Sequence, residues 1–394
     1  MHLGGPPAGR TFAPPCWPAH ARGGDDNGFV QARLRADFRG ESGVNLVEIP
    51  DNPAPKGVTV LPVATRDGVV LRAAYWLPAE PARGTILLLH GRAEFIEKYF
   101  EVIGELLARG FAVVTFDWRG QGTSGRSVAD ARKGHIARFS DFRHDVEAVT
   151  REIVEPLLPK PVFGLAHSMG GCVALAGAAE GWLPVERLVA TTPMVGLSLV
   201  KHARLVRGLA RFLAWLGLGE RFVPGGRAES ISTEPFEGNR LSNDPVRYAR
   251  NAAVARALGA GAVGSPTIAW LVAAYEAMAA LQETGYPARI TIPTLIFGAG
   301  NDPVCATPAI ELFARGLGPG STYVAIPGSR HEIMMEGDAI RESFWKAFDA
   351  FIPGSKDTER RLASSTEEFE DAVVQPLVPA GHDGAALRGR APVP

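Results

Sequence analysis

Ser168 stands in the run Ala166-His167-Ser168-Met169-Gly170-Gly171, directly after the apolar strand pattern VFGLAH and directly before the helical run CVALAGAAE. A serine on a tight strand–turn–helix bend holds its hydroxyl on a strained backbone, clear of the sheet, where it can attack an acyl carbon. Strand and helix nearly touch at such a bend, so the residues two before and two after the serine must be tiny. Ala166 and Gly170 meet that demand. The following helix would add the positive end of its dipole to the site. The plainer reading of the same residues is a serine capping a helix. A bare small-x-Ser-x-Gly arises often by chance, and the position between strand and helix is what makes this one informative.

Serine is a poor nucleophile unless a positioned base takes its proton, and that base needs an orienting group. On a bend of this kind the partners follow in the order serine, acid, histidine. Of the nine histidines, only His331 and His382 lie beyond residue 288, and His382 falls in a polar tail. His331 remains. It follows the strand pattern TYVAIP and the loop Gly328-Ser329-Arg330, and precedes the last helical run. The acid is expected at the carboxyl end of the strand before, in IPTLIFGAGNDPV, where Asp302 is the sole carboxylate. The alternative position, TTPMVGLS (191–198), carries none. A surface histidine and a helix-capping aspartate are the plainer readings of these two residues.

Acyl transfer builds negative charge on a carbonyl oxygen, which preorganised backbone N–H groups stabilise. Met169, next to the serine, is expected to supply one donor. The second is expected from Arg92, in the loop His90-Gly91-Arg92 after the strand pattern TILLLH, with Gly91 giving the turn its freedom. His90 is expected to pack and hydrogen-bond beside the site. Gly120-Gln121-Gly122-Thr123-Ser124-Gly125 matches the dinucleotide fingerprint G-x-G-x-x-G, which requires strand, glycines and helix to be contiguous. Here Asp117-Trp118-Arg119 intervene and no helical run follows at once, so the reading is a turn that supports the site loops.

The elements that must position these residues alternate. Strand patterns occur at 58–65, 69–77, 85–90, 111–117, 162–167, 187–192, 292–298 and 322–327, with helical runs at about 95–109, 139–157, 169–180 and 336–352. This alternation predicts an α/β fold with a mostly parallel central sheet and helices on both faces. Arg66-Asp67-Gly68 reads as a hairpin turn, so the sheet should open with an antiparallel pair. The stretch from about 197 to 288 breaks the alternation and is helix-rich, which predicts an inserted helical cap. In it Leu205, Leu209, Phe212, Leu213 and Leu216 recur at helical spacing, opposite a basic stripe of Lys201, Arg204, Arg207 and Arg211.

The chain has 394 residues, 46% hydrophobic, with a formal net charge of −1, which gives no general reason to expect a nucleic-acid partner. Its three cysteines (Cys16, Cys172, Cys305) are widely separated, against a disulfide framework or a cysteine zinc site. Residues 1–28 are rich in Pro and Gly without an apolar h-region, and read as a disordered leader; 354–394 reads as a disordered tail. The hydrolase domain is expected over 29–353. No uninterrupted apolar run is long enough for a membrane span, so a cytoplasmic protein is expected, with neither metal nor organic cofactor.

With those residues in place, the segments LLLHGRAEFIEKY, FDWRGQGTSGR, AHSMGG, TTPMVG, NRLSNDPVRYAR, SPTIAW, FGAGNDPVC and GSRHEIMMEGDAIR resemble the lysophospholipase L2 and monoacylglycerol lipase group of α/β-hydrolases, the serine aminopeptidase S33 type. The resemblance spans about 58–352. It implies the α/β-hydrolase fold, the triad Ser168, Asp302 and His331, and an oxyanion hole at Arg92 and Met169. It further implies that Glu94, Asp117 and Arg119 support the loops around the site. Ala166 departs from the glycine usual in the group, a small change. The implied reaction is hydrolysis of a carboxylic ester of a single-chain lipid through an acyl-enzyme.

The cap fits such a substrate: Leu209, Phe212, Leu213 and Leu216 could line an acyl-chain pocket. Arg204, Arg207 and Arg211 could meet a phosphate or an anionic membrane surface. The plainer reading is a helix packed over the core with a solvated basic face. An amidase or aminopeptidase would use the same triad but needs a carboxylate for the substrate amine, for which Glu229, Glu234 and Glu237 are candidates. A general carboxylesterase also remains open. A haloalkane- or epoxide-type hydrolase would need aspartate in place of Ser168, and a non-catalytic binding module would usually have lost a triad member.

Overall fold

The computed structural model describes residues 45–199, 202–354 and the backbone of 374–376. The leader read over 1–28 and most of the tail lie outside the described residues. Nine strands form one sheet: β1 (Thr59–Ala64), β2 (Val70–Trp76), β3 (Thr85–Leu89), β4 (Ala112–Phe116), β5 (Val162–His167), β6 (Arg187–Thr191), β7 (Thr294–Ala299), β8 (Thr322–Ile326) and β9 (Val374–Pro376). Their spatial order is β1-β2-β4-β3-β5-β6-β7-β8-β9. Every pair from β4 to β8 is parallel, whereas β1, β2 and the short β9 join antiparallel. The eight strand patterns of the sequence thus all become strands.

The first pair closes as the Arg66-Asp67-Gly68 signal requires. Gly68 takes φ of 85°, its N–H donates to Thr65 O at 3.0 Å, and Ala64 faces Val70 in register. Strands β3, β4, β5 and β7 are buried along their whole length, because helices cover both faces. Alternate residues serve opposite faces: Leu87 and Leu89 join one core, Ile86 and Leu88 the other. Each such fully buried side chain stabilises the fold by roughly 1.5–3 kcal/mol relative to exposure.

Helices α1 (Phe100–Ala108) and α8 (Asp338–Phe351) pack on one face; α2 (Phe142–Val149) and α3 (Ser168–Glu180) pack on the other. The helical run that the sequence suggests over 139–157 is composite, with a 3-10 turn before α2 and a π turn, Thr150–Val154, after it. Helix α7 (Thr307–Arg315), not among the runs read from the sequence, starts at Thr307-Pro308, where proline suits a first helical turn. Between β6 and β7 the chain forms α4 (Ala203–Leu213), α5 (Pro245–Leu258) and α6 (Ile268–Leu281). Asp244 caps α5 by accepting from Arg247 N, and Thr267 caps α6 by accepting from Trp270 N. Among the described residues no helix is long and apolar enough to cross a membrane.

Candidate active site

The bend between β5 and α3 carries Ser168 at φ of 51°, a left-handed conformation that non-glycine residues rarely adopt. Close approach explains the glycines around it. A Cβ on Gly170 would lie 2.3 Å from Leu89 O and 2.6 Å from His90 O, and one on Gly171 would lie 2.8 Å from Pro193 Cβ. Ala166 is fully buried and pairs with Leu89 and Ala190 across the sheet, so its methyl group is accommodated.

The structure brings Ser168, His331 and Asp302 together. His331 Nε2 lies 2.9 Å from Ser168 Oγ, and His331 Nδ1 lies 2.8 Å from Asp302 Oδ2. The other carboxylate oxygen, Oδ1, accepts N–H groups from Val304 at 2.8 Å and Cys305 at 2.9 Å. An ionised carboxylate only accepts, so Nδ1 carries the ring proton and Nε2 is left to accept from the serine. Burial works against an imidazolium at His331, but the adjacent Asp302 carboxylate outweighs it and holds the pKa above the ordinary histidine value. Burial likewise opposes charge on Asp302. The imidazole and the two backbone donors prevail and hold it below the usual range.

The histidine loop is tied on two sides. Thr192, at the end of β6 with φ of 42°, donates its hydroxyl to His331 O at 2.8 Å. From the segment between β6 and β7, Leu241 O accepts Glu332 N at 2.8 Å. The same segment sends Asn243 N and Nδ2 to the Glu336 carboxylate, whose Oε1 also accepts Arg330 N at 2.6 Å. These contacts account for the NRLSNDP run as a clamp on the His331 loop.

The loop after β3 arranges its backbone donors selectively. Gly91 N donates to Glu94 Oε2, and Ala93 N, at φ of 60°, donates to Gln121 Oε1. Arg92 N, between them, has no protein acceptor among the described residues. Met169 lies in the first turn of α3, where N–H groups lack an i−4 carbonyl. The two donors expected from the sequence are therefore open. A Cβ on Gly91 would approach Glu94 Oε2 to 2.9 Å and Ser168 Cβ to 3.2 Å, so crowding, not the positive φ that would need a glycine's freedom, is what favours glycine there. All three non-glycine residues with positive φ among those described, Ala93, Ser168 and Thr192, surround the site, which is where backbone strain collects in catalytic scaffolds.

The G-x-G-x-x-G run is a turn in this support. Gly122 has φ of 53°, and a Cβ there would overlap the Asp117 carboxylate at 1.9 Å. Asp117 in turn accepts from Thr123 N, Ile96 N and Arg72 Nε, and Arg119 joins Asp145 at 2.7 Å and Asp67 at 2.6 Å. The turn delivers Gln121 to the Arg92 loop. His90 is fully buried, with Nδ1 3.0 Å from Gly91 O and Nε2 without a hydrogen-bond partner.

A family model described as serine aminopeptidase, S33 matches residues 80–338. The chain belongs to the serine aminopeptidase S33 family. Lysophospholipase L2 of Escherichia coli (strain K12) is 30% identical to the S33 hydrolase over 267 residues, covering 65% of this chain and 76% of that protein. Among solved structures, a thermostable carboxyl esterase from Bacillus coagulans matches with a TM-score of 0.61 at 21% identity, covering 76% of this chain and 99% of that one. A soluble variant of monoglyceride lipase from Saccharomyces cerevisiae matches with a TM-score of 0.58 at 21% identity, covering 75% and 96%. These likenesses establish the α/β-hydrolase fold, and the S33 hydrolase is a carboxylic-ester hydrolase.

Beside the serine of the S33 hydrolase lies a buried charged cluster that the sequence only half announced. Lys98 Nζ donates to Glu94 Oε1 at 2.8 Å and to Glu332 Oε1 at 2.6 Å, while Tyr99 OH donates to Glu94 Oε2 at 2.8 Å. Burial opposes charge on Glu94, but the Lys98 ammonium holds it below the carboxylate range. Glu332 shares the same ammonium with fewer donors, and burial pushes it up. Glu94 and Lys98 sit four residues apart and could be paired from sequence; Glu332 is 234 residues from Lys98 and could not. His167 is another residue sequence reading left without a role. Its ring centre is 4.9 Å from that of His331, and burial lowers its pKa to about 3 despite Glu94. It therefore stays neutral and places no cation beside His331.

A pocket of about 490 Å³ opens at Ser168 and His331. Val206, Leu209, Ala210 and Leu213 of α4 form one apolar wall, and Trp270, Leu271 and Cys305 contribute to the rest. Phe212 and Leu216, expected in that wall, do not line the pocket, whereas Leu209, exposed to the same degree, does. At 100° per residue, positions 206, 209, 210 and 213 of α4 share one face and 205 and 212 turn aside from it, while Leu216 lies in the π turn Ala214–Leu218 that follows α4. Burial, reinforced by Asp302, pushes the Cys305 thiol well up, so it is a neutral wall residue. Asp302, Cys305 and His331 offer ligand atoms within 4.8 Å of one another, but both ring nitrogens of His331 are already engaged by Ser168 and Asp302.

Proposed function

We propose that the S33 hydrolase cleaves the ester of single-chain lipids, lysophospholipids or monoacylglycerols, through an acyl-enzyme on Ser168. The observation that carries this reading is the apolar pocket whose α4 wall adjoins the serine–histidine pair. In the proposed course, His331 Nε2 takes the Ser168 proton as Oγ attacks the ester carbonyl. The N–H groups of Met169 and Arg92 receive the developing oxyanion. The imidazolium, steadied by Asp302, then gives its proton to the departing glycerol oxygen, leaving the acyl group on Ser168. Water, deprotonated by the same imidazole, releases the fatty acid.

In this reading the segment between β6 and β7 is the cap, and its outer face is a lipid-surface contact. Leu205 is 73% exposed and Trp215 80% exposed, alongside Phe212 and Leu216. A clustered apolar face on a helix that also walls the acyl pocket, flanked by Arg204 and Arg211, suits an anionic lipid interface. The amidase alternative finds less support. Glu229, Glu234 and Glu237 do not line the pocket, and the carboxylates that do, Glu94 and Glu332, are both already engaged by Lys98.

The test is a substrate panel of lysophosphatidylcholine, monoacylglycerol and aminoacyl amides, run on wild type and Ser168→Ala. The expected result is lipid hydrolysis by wild type, covalent labelling by a fluorophosphonate, and neither in the variant. Turnover confined to short p-nitrophenyl esters, or activity surviving in Ser168→Ala, would overturn the proposal.

A further inference from the structure

The oxyanion loop carries a cation whose charge the protein does not answer. Two cationic side chains line the pocket, Lys98 and Arg92. Lys98 is held between Glu94 and Glu332. Arg92 makes no ion pair among the described residues. Its single hydrogen bond runs from Nη1 to Gly264 O at 2.8 Å, and the guanidinium stands over the Trp270 ring, 5.6 Å from its centre. Nε and Nη2 have no protein acceptor, and neither is sealed from solvent.

Most of the largely buried arginines differ, Arg207 with its buried, unpartnered Nε being an exception among the described residues. The buried or largely buried arginines 72, 119, 247 and 341 are each matched by at least one carboxylate. Arg126, which lacks one, instead saturates its guanidinium on the carbonyls of Gln121, Gly122, Ser124 and Ala131. Burial lowers the Arg92 pKa to about 10, with the charge of Glu94 opposing it. The guanidinium still carries its charge at neutral pH, so a fork of two N–H donors faces the pocket as a charged, half-desolvated group. Such a fork fits the oxygens of a phosphate.

We propose that the Arg92 guanidinium binds the phosphodiester of a lysophospholipid headgroup, so that one residue reads the substrate twice. Its backbone N–H meets the ester oxygen, and its side chain meets the phosphate. The spans agree in kind: a glycerol backbone separates phosphate from ester in the lipid, and a short saturated chain separates guanidinium from amide in Arg92. The bond to Gly264 O and the Trp270 ring hold the fork in place before substrate arrives, and a monoacylglycerol leaves it unanswered. This inference rests on the lipid-ester reading above and adds a headgroup preference to it.

The experiment compares kcat/KM for lysophosphatidylcholine and for monoacylglycerol of the same acyl chain, in wild type and in Arg92→Met. The quantity read is the ratio of the two, which cancels any common loss from a shifted oxyanion loop. The ratio is expected to fall roughly tenfold or more, the scale of a lost charge-assisted hydrogen bond, mainly through KM. Arg92→Lys should recover part of it. An unchanged ratio, with both substrates declining together, would make Arg92 a strap between loop and cap and overturn the proposal. A second measurement needs no variant: glycerophosphocholine should inhibit wild-type hydrolysis of a short p-nitrophenyl ester competitively, and more strongly than glycerol or inorganic phosphate. Equal inhibition by glycerol, or stronger inhibition by inorganic phosphate, would also overturn it. Wild type inactive on both lipids would remove the lipid reading itself. Activity on monoacylglycerol with none on lysophosphatidylcholine would remove only the role of Arg92.

Discussion

Replacing Asp302 by asparagine tests the proposed machinery at its most geometric point. Asp302 Oδ1 accepts two backbone N–H groups, at 2.8 and 2.9 Å, and an amide nitrogen cannot take that place. In Asp302→Asn the amide oxygen therefore stays on Val304 and Cys305, and its NH₂ group faces His331 Nδ1, which must now accept. The ring proton moves to Nε2, the atom 2.9 Å from Ser168 Oγ, and the base can no longer take the serine proton. The wrong tautomer of this kind costs about 10⁴-fold in kcat, or about 5.5 kcal/mol of barrier at 1.36 per tenfold. Hydrolysis of p-nitrophenyl butyrate at neutral pH is the assay, with a thermal melt beside it. The melt should move little, because both backbone contacts survive. A pH profile adds a second readout. Wild-type kcat/KM should rise with pH as His331 loses its proton, with a midpoint above the ordinary histidine value of about 6.5, since Asp302 raises that pKa. Without the Asp302 carboxylate, only the weaker pull of Glu332 and Glu94 opposes burial of the imidazole, and the midpoint of the residual activity should move down. A variant within tenfold of wild type would refute the assignment of Asp302, and an unmoved midpoint would refute its effect on His331.

Two further changes probe the supports. Gly170→Ala places a methyl group 2.3 Å from a backbone carbonyl and should cost at least about 1–3 kcal/mol, with activity falling further than stability because Met169 N moves; full activity would sink the close-approach account of the bend. Lys98→Met leaves Glu94 and Glu332 buried without their cation and should cost about 3–5 kcal/mol. A carboxyl whose folded pKa is raised, as for Glu332, favours the folded state at low pH and loses that contribution as pH rises through the folded value. Urea melts should therefore show a smaller loss at mildly acidic pH than at mildly alkaline pH, and equal losses would contradict the pairing.

Much of the fold was legible because it is written in short windows. Continuous apolar runs became the buried strands β3, β4, β5 and β7, and Arg66-Asp67-Gly68 closed its hairpin. Helix α7 was missed because it is short, with only Ile310, Phe313 and Ala314 buried. The pocket-facing side was misjudged at Phe212 of α4 and at Leu216 in the π turn after it: an apolar stripe says that one side avoids water, and here apolar residues occupy more than one side.

That Ser168, His331 and Asp302 come together was readable by elimination, since chain order and strand ends leave His331 and Asp302 as sole candidates for their places. What the linear chain could not contain is the pairing of charges across it. Lys98 meets Glu332 only because β3 and β8 carry their following loops to the same end of one sheet, and Arg92 is left without a carboxylate only because of what did not come near it. Strand, turn and elbow preferences are local steric facts and survive in sequence. Which buried ions neutralise one another depends on distances of a few ångströms between segments hundreds of residues apart, and only the folded chain sets those.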